Sequence, residues 1–211
     1  MNMTLVVIAA LLPSLAAAAP SFESQVEGSL AAFQTTRPDA AAFSALARRP
    51  AVATVSGGFN GQTASLTLDR RAWTIVGGLN GMSVKVAIDQ AAKTVAGSLN
   101  GETVALTFVD GPDSVSYKGA INGADVEYSI DWQAGIVDGS ANGSALHLEF
   151  NVASGAVDAA KSYVNGAPVG LTLDAPSGRL TGTFGGKDVG LTLVNADLSD
   201  FLQNLYLFLK R

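Results

Sequence analysis

The chain has 211 residues, of which 48% are apolar and 15% are charged, with 23 glycines, no cysteine and a formal net charge of -5. This composition predicts one folded domain or two small ones, and it argues against a disordered chain, a disulfide-stapled scaffold and a cysteine-ligated metal site. The negative net charge disfavours nucleic acid as a partner, because phosphate binding depends on clustered Lys and Arg.

The first eighteen residues have the features of an export signal. An uncharged run from Leu5 to Ala19 is too short to span a bilayer as a helix, and Ala16 and Ala18 place small residues where a signal peptidase reads. We therefore predict a signal peptide over residues 1–18 and export to the periplasm or the extracellular space. No Lys or Arg precedes the run, so an uncleaved anchor is the alternative.

Residues 19–50 are predicted to form two short helices that cap a rim of the fold or lie against its outside. The first is indicated by apolar residues at helical spacing, namely Phe22, Val26, Leu30 and Phe33. The second covers Ala40 to Arg49 and is bounded by Pro38 and Pro50.

A repeated unit fills residues 51–196. The dipeptide Asn-Gly recurs at spacings of 20 to 23 residues, and Gly185-Gly186 replaces it in the seventh copy. The Asn residues are Asn60, Asn80, Asn100, Asn122, Asn142 and Asn165. Asn-Gly favours a type I′ turn, in which both central residues need positive φ, so each copy predicts a β-hairpin. The fold class is therefore mainly β, with about 12–14 strands in an antiparallel meander.

The register of these hairpins predicts one apolar face. A two-residue turn fixes every pair beyond it, and in the first copy Phe59, Ala64, Leu66 and Leu68 then share one side of the sheet. The other copies repeat the pattern, whereas the opposite side carries small and polar residues. A β-solenoid with coils of similar length is the alternative, but it does not require both arms of each hairpin to share a buried face.

A second set of turns is marked by Asx residues nine or ten positions after each Asn-Gly. They are Asp69, Asp89, Asp110, Asp131, Asn151, Asp174 and Asn195. Their side chains are predicted to bind the backbone two residues ahead. The carboxylates could instead form a calcium site, but side chains one hairpin apart lie ~10 Å from each other, which favours the turn.

The apolar face must be covered, and closure into a barrel removes the unpaired strand edges. Fourteen strands enclose more space than their own side chains fill, so a plug is needed. We predict that residues 197–211 supply it as a helix that Asp197 caps and that is ~21 Å long from Leu198 to Arg211. Its apolar residues recur at spacings of three and four, at Leu198, Phe201, Leu202, Leu205, Phe208 and Leu209.

Six of the seven repeats have a glycine three residues before the turn. These glycines are Gly57, Gly77, Gly97, Gly119, Gly139 and Gly182, and Ser162 is the exception. They are predicted to lie on the inward face. Two interpretations are open: a ring without side chains makes room for the helix, or the glycines bend the strands for closure.

From Val52 to Arg211 this pattern resembles the barrels of repeated hairpins called β-flowers and, more distantly, the Tubby C-terminal barrel with its hydrophobic terminal helix. The resemblance lies in the pattern and matches no family motif residue by residue, so no ligand contacts carry over. It implies a non-enzymatic barrel, with phosphoinositide binding among the Tubby-like relatives.

Few residues are candidates for chemistry. The register pairs His147 with Asp138 on the outer face, with Ser140 beside them. This arrangement suggests either a catalytic triad or an exposed ion pair. The ion pair is favoured, because a convex sheet offers no oxyanion hole. Asn142 begins an Asn-Gly-Ser glycosylation motif that the turn already explains. We assign no catalytic, cofactor-binding or metal-binding residue and expect no cofactor.

The sequence thus predicts an exported, non-enzymatic β-barrel that acts as a binding or structural module, with a lipid or membrane surface as a candidate partner. One alternative is an outer-membrane barrel whose apolar face contacts lipid. Another is a surface- or polysaccharide-binding protein that uses its rows of Thr and Ser. The sequence identifies neither the ligand nor the oligomeric state.

Overall fold

The computed structural model describes residues 49–209. The predicted signal peptide, both predicted N-terminal helices up to residue 48, and the last two residues lie outside this range. The strands are β1 (Val52–Phe59), β2 (Gln62–Asp69), β3 (Thr74–Leu79), β4 (Met82–Asp89), β5 (Thr94–Leu99), β6 (Glu102–Asp110), β7 (Ser114–Ile121), β8 (Ala124–Asp131), β9 (Ile136–Ala141), β10 (Ser144–Asn151), β11 (Ala156–Val157), β12 (Tyr163–Val164), β13 (Ala167–Pro168), β14 (Gly170–Asp174), β15 (Arg179–Phe184) and β16 (Lys187–Val194).

The strands form an antiparallel meander that closes into a barrel of 14 strands. Strands β1 to β10 follow one another around the sheet, and β11, β14, β15 and β16 complete the ring. Strand β16 pairs with β1, and β11 pairs with both β10 and β14. The short β12–β13 hairpin is attached to β10. The predicted fold class is confirmed, and the solenoid alternative is wrong because consecutive strands pair antiparallel.

The Asn-Gly dipeptides form the predicted hairpin turns. The six Asn residues have φ between 51° and 57°, and the glycines after them have φ between 73° and 78°. Gly185 and Gly186 have φ of 60° and 76°. Positive φ at both central positions matches the twist of the flanking strands. These seven turns lie at one end of the barrel, called here the Asn-Gly rim, and the Asx turns lie at the other end, the Asx rim.

The apolar face of the repeat is buried. Leu66, Val86 and Leu106 expose 2%, 1% and 2% of their surface and belong to one continuous hydrophobic core with the C-terminal segment. The rows of Thr and Ser that alternate with them are on the outer face. This is the orientation that the sequence favoured over one in which the apolar face contacts lipid. Among the described residues, no helix is long and apolar enough to cross a membrane.

The glycines three residues before the turns adopt a backbone conformation that other residues avoid. Gly57, Gly77 and Gly97 have φ of 129°, 145° and 153°, which L-residues rarely adopt. A Cβ on these glycines would lie 2.0 to 2.2 Å from a carbonyl oxygen of the neighbouring strand. The nearest atoms belong to the sheet and not to the C-terminal helix. The structure thus gives the glycines a role that neither interpretation named, since they allow the close approach of adjacent strands.

The C-terminal helix, α1 (Leu198–Gln203), is shorter than predicted and is followed by a 3-10 helix (Leu205–Leu207). Asp197 caps α1 and accepts a hydrogen bond from the backbone N–H of Asp200 at 3.1 Å. The helix ends at Asn204, whose side-chain amide donates to the Asp200 carbonyl at 2.8 Å and whose backbone N–H is shared between two carbonyls. Such shared bonds tighten the last turn, so α-helical geometry does not continue.

The C-terminal segment nevertheless packs inside the barrel, as predicted. Leu198, Leu202 and Leu205 have no exposed surface. The ring of Phe208 lies 4.7 Å from that of Phe59 on β1, and the ring of Tyr206 lies 5.9 Å from that of Tyr117 on β7. Contacts with such distant strands show that the segment packs within the core that the strands enclose.

Arg70, at the Asx rim, joins three parts of the chain. Its guanidinium donates to the carbonyls of Pro50 at 2.7 Å and Asn195 at 2.8 Å, and to the carboxylate of Asp200 at 3.0 Å. It thus links the start of β1, the end of β16 and the first turn of α1. The Asp200 side chain is 9% exposed and the Arg70 side chain 22%, so the ion pair is only partly screened by water.

We expect Arg70→Ala to lower the free energy of unfolding by about 2 kcal/mol, because hydrogen bonds involving a charged group contribute ~1.5–3 kcal/mol and this group is partly exposed. The neighbouring Arg71 is exposed and is the matched control, and Arg71→Ala is expected to change stability by less than about 0.5 kcal/mol. Urea unfolding followed by circular dichroism measures both variants. Equal stability of the two variants would contradict the role assigned to Arg70.

Candidate functional site

A cavity of about 400 Å³ opens at the Asn-Gly rim and is called here the mouth cavity. Its volume lies within the range of roughly 300–1,000 Å³ that small-molecule sites occupy. Its lining residues are Asn60, Gln62, Ala141, Ser144, Leu146, Val164, Asn165, Ala167, Phe184, Gly185, Lys187, Phe208 and Leu209. They come from four hairpins and the end of the C-terminal segment, so the cavity exists only in the closed barrel.

At the cavity, regular strand pairing no longer joins the sixth and seventh hairpins. The ladder between β14 and β15 begins at the pair of Gly170 and Thr183, and β13 pairs with β12 alone. Closer to the rim, Gly186 donates to the Pro168 carbonyl at a long 3.3 Å. Pro168 has no N–H with which to extend a ladder toward β15. The regular ladder between the two hairpins therefore stops short of the rim, where residues of both hairpins line the cavity.

The sixth repeat is irregular for a related reason. Residues 158–162 interrupt its first arm, which is why β11 and β12 are separate strands. Ser162, which stands where the other repeats have glycine, is buried, and its hydroxyl accepts a hydrogen bond from the backbone N–H of Glu149 at 2.9 Å. This bond replaces a lost ladder contact. The spacing of 23 residues was the sequence signal of this insertion.

A second cavity, of about 270 Å³, lies beside the first and shares Ala141 and Leu209 with it. Its other lining residues are Glu102, Ile121, Asn122, Ala124, Val126 and Asn142. The end of the C-terminal segment thus stands between two cavities at the same rim.

The interior of the barrel also holds three tyrosines that stay neutral. The rings of Tyr117 and Tyr128 are stacked with centroids 5.1 Å apart, and Tyr206 lies against Tyr117. Burial raises the pKa of all three phenols above its usual value, and the neighbouring tyrosines raise it further for Tyr128 and Tyr206. The Tyr128 hydroxyl makes no hydrogen bond of normal geometry within residues 49–209. The cluster contributes apolar packing and no ionisable group at neutral pH.

His147 and Asp138 are paired as predicted. His147 Nδ1 lies 2.5 Å from a carboxylate oxygen of Asp138 on the outer face, and its ring is stacked on Tyr163 with centroids 5.5 Å apart. Ser140 forms no hydrogen bond with His147 in the described part of the chain. The geometry is that of a hydrogen-bonded pair on a sheet surface, where Lys118 and Glu127 form an ion pair at 3.1 Å.

The Asx side chains accept hydrogen bonds from turn backbone N–H groups at four positions. Asp69, Asp89 and Asp131 accept hydrogen bonds from the backbone N–H groups two and three residues ahead. These N–H groups hold the pKa of Asp69 below its usual value. The fourth position is Asn151, which accepts from the Ser154 N–H at 3.0 Å.

The other Asx residues have different partners. Asp174 accepts from the Ser177 hydroxyl, and the Asn195 side chain donates to the Val52 carbonyl. Asp110 instead pairs with Lys93 at 2.8 Å, which lowers the pKa of the Asp110 carboxyl.

A turn follows Asp110 as predicted, but the Asp110 carboxylate pairs with Lys93 in place of the predicted backbone bond, and the turn is closed by the Gly111 N–H, which donates to the Ser114 carbonyl. Within the described range, no group of three or more His, Cys, Asp or Glu side chains is arranged to hold a metal ion.

No family model, curated protein or solved structure matches this chain. The structure confirms the closed antiparallel meander with a C-terminal helix that the repeat pattern predicted, and no family or motif match supports a β-flower or Tubby-like identity. The site must therefore be interpreted from its own residues.

Sequence reasoning did not find the mouth cavity. Its floor residues, such as Leu146 and Phe184, were predicted only as core, and Lys187 was not singled out. The signals available were Pro168 within a strand and the long spacing of the sixth repeat. Both mark the place where regular pairing fails.

Proposed function

We propose that this protein is an exported, non-enzymatic β-barrel module. It binds a small, partly apolar ligand in the mouth cavity and is in this sense a lipid-associated protein. Export is supported by the features of residues 1–18. The observation that carries the binding proposal is the cavity itself, which has a buried apolar floor and opens at the rim.

The chemistry of the described residues that line the cavity supports a binding role. Among them, Lys187 has the single charged side chain, and the remaining polar groups are amides and one hydroxyl. Acid–base or nucleophilic catalysis needs a second titratable group within hydrogen-bond reach. Binding requires only apolar contact and a few polar groups that orient the ligand.

The test is titration with N-phenyl-1-naphthylamine, an uncharged probe whose fluorescence rises in apolar surroundings. Val164 lines the cavity and is half-buried, so Val164→Trp fills space that the probe would occupy. We expect this variant to weaken probe binding by about tenfold, which corresponds to ~1.4 kcal/mol.

The matched control is Val194→Trp, since Val194 is on the outer face and is 50% exposed. This variant is expected to bind the probe as the unmodified protein does. Circular dichroism establishes that both variants are folded. Equal binding by Val164→Trp and the unmodified protein would show that the probe does not enter the mouth cavity, and the proposal would then be wrong.

A further inference from the structure

The mouth cavity has an apolar floor and a polar entrance. Leu146, Phe184 and Phe208 form the floor and expose 2%, 2% and 7% of their surface. Gln62 and Lys187, by contrast, are exposed at the rim. Apolar and polar groups are thus separated along the depth of the cavity. A ligand that matches this separation has an apolar end that lies inside and a polar end that remains at the entrance.

Lys187 is the charged residue among the described residues that line the mouth cavity, and Glu102 lines the adjoining one. Lys187 follows the Gly185-Gly186 turn and pairs in register with Phe184, which places it on the side of β16 that lines the cavity. It takes part in none of the ion pairs of the described residues. The next residue, Asp188, pairs with Thr183 and lies on the opposite side of the strand. Within residues 49–209, the lining of the mouth cavity therefore carries one positive charge that has no ion-pair partner, although the protein is acidic.

The second cavity indicates the shape of the apolar end. It shares Ala141 and Leu209 with the mouth cavity, and its lining includes the apolar residues Ile121 and Val126. The two cavities lie on either side of the Leu209 side chain. A narrow, flexible chain can bend around this side chain and occupy both cavities, whereas a bulky ring system cannot.

We propose that the ligand of the mouth cavity is a free, single-chain amphipath with an anionic head, a carboxylate or a phosphate. The head pairs with the Lys187 ammonium, and the chain lies on Leu146, Phe184 and Phe208. This inference rests on the proposed function, since it names the chemical class of ligand for the same cavity.

The experiment measures the affinity of four probes of equal chain length by calorimetry: octanoate, octyl phosphate, octanol and octyltrimethylammonium. We expect the two anions to bind about fivefold more tightly than octanol, as an exposed ion pair contributes up to roughly that factor. Lys187→Gln is expected to remove this advantage and to leave octanol binding unchanged. The control Lys85→Gln, which removes one positive charge from the outer face of β4, is expected to alter none of the four affinities.

The outcomes separate the two proposals. If octanol and octanoate bind equally, or if Lys187→Gln binds octanoate as tightly as the unmodified protein, the anionic head is wrong and the binding cavity stands. If none of the four probes binds, the proposed function fails as well. An anionic head could also belong to a membrane lipid, and sedimentation with phosphatidylglycerol vesicles tests this source. Binding to the vesicles without binding of free octanoate would overturn the proposal of a free ligand.

Discussion

Gly57→Ala is expected to lower the free energy of unfolding by at least about 3 kcal/mol, or to prevent folding. Gly57 has φ of 129°, and a Cβ at this position would lie 2.2 Å from the Gly190 carbonyl oxygen and 3.1 Å from the Leu191 Cα. Both obstacles are backbone atoms of β16, so no side chain can rotate away. The strand would have to separate from its neighbour or change its backbone conformation.

The adjacent residue is the matched control. A Cβ on Gly58 meets nothing within 4 Å, and its φ lies outside the range that L-residues avoid. Gly58→Ala is expected to be neutral or to stabilise the protein by up to about 1 kcal/mol, because it restricts the unfolded chain. Urea unfolding of the two variants compares neighbouring positions in one strand. Similar stabilities would show that the close strand approach is not needed for closure.

Phe201→Ala is expected to lower the free energy of unfolding by about 3–5 kcal/mol, as for other large-to-small substitutions of buried aromatic residues. Phe201 is 2% exposed, and its ring lies 6.2 Å from that of Phe59 and 5.3 Å from that of Phe208. Removing it leaves a void between α1 and β1. The surrounding strands are held in a closed ring of antiparallel pairs, which limits how far they can move to fill the void.

Gln203 is exposed on the same helix, and Gln203→Ala is expected to change stability by less than about 0.5 kcal/mol. Phe201→Leu keeps most of the buried volume and is expected to cost less than Phe201→Ala. Chemical unfolding of the three variants measures these differences. A loss below about 1 kcal/mol for Phe201→Ala would mean that α1 is not part of the cooperative core.

These two predictions concern features that the sequence revealed to different extents. The glycines at Gly57 and its equivalents are visible as a repeat, but their purpose is not, because the carbonyl that excludes a Cβ belongs to a neighbouring strand. The C-terminal plug is visible as an apolar helical pattern. Its early end at Asn204 depends on the hydrogen bonds of one side chain, and residues such as Leu205 remain apolar on either side of the break.

The sequence also carries a local signal of backbone conformation in the Asx turns. The fourth residue after the Asx residue adopts positive φ at Trp73, Lys93 and Gly135, among others. Glycine at this position in three later repeats is the sequence signal of that conformation, since glycine adopts positive φ without steric cost. The same conformation at Trp73 and Lys93 could not be predicted from residue type alone.

The sequence by itself determined the hairpins, their register and the face that is buried, because a two-residue Asn-Gly turn fixes the pairing of both arms through local geometry. The tertiary structure decided where the barrel closes, how closely its strands approach and where its end opens. The mouth cavity depends on residues as far apart as Asn60 and Leu209, which meet only after closure. Contacts of this kind are set by packing of the whole barrel and have no pattern within any single repeat.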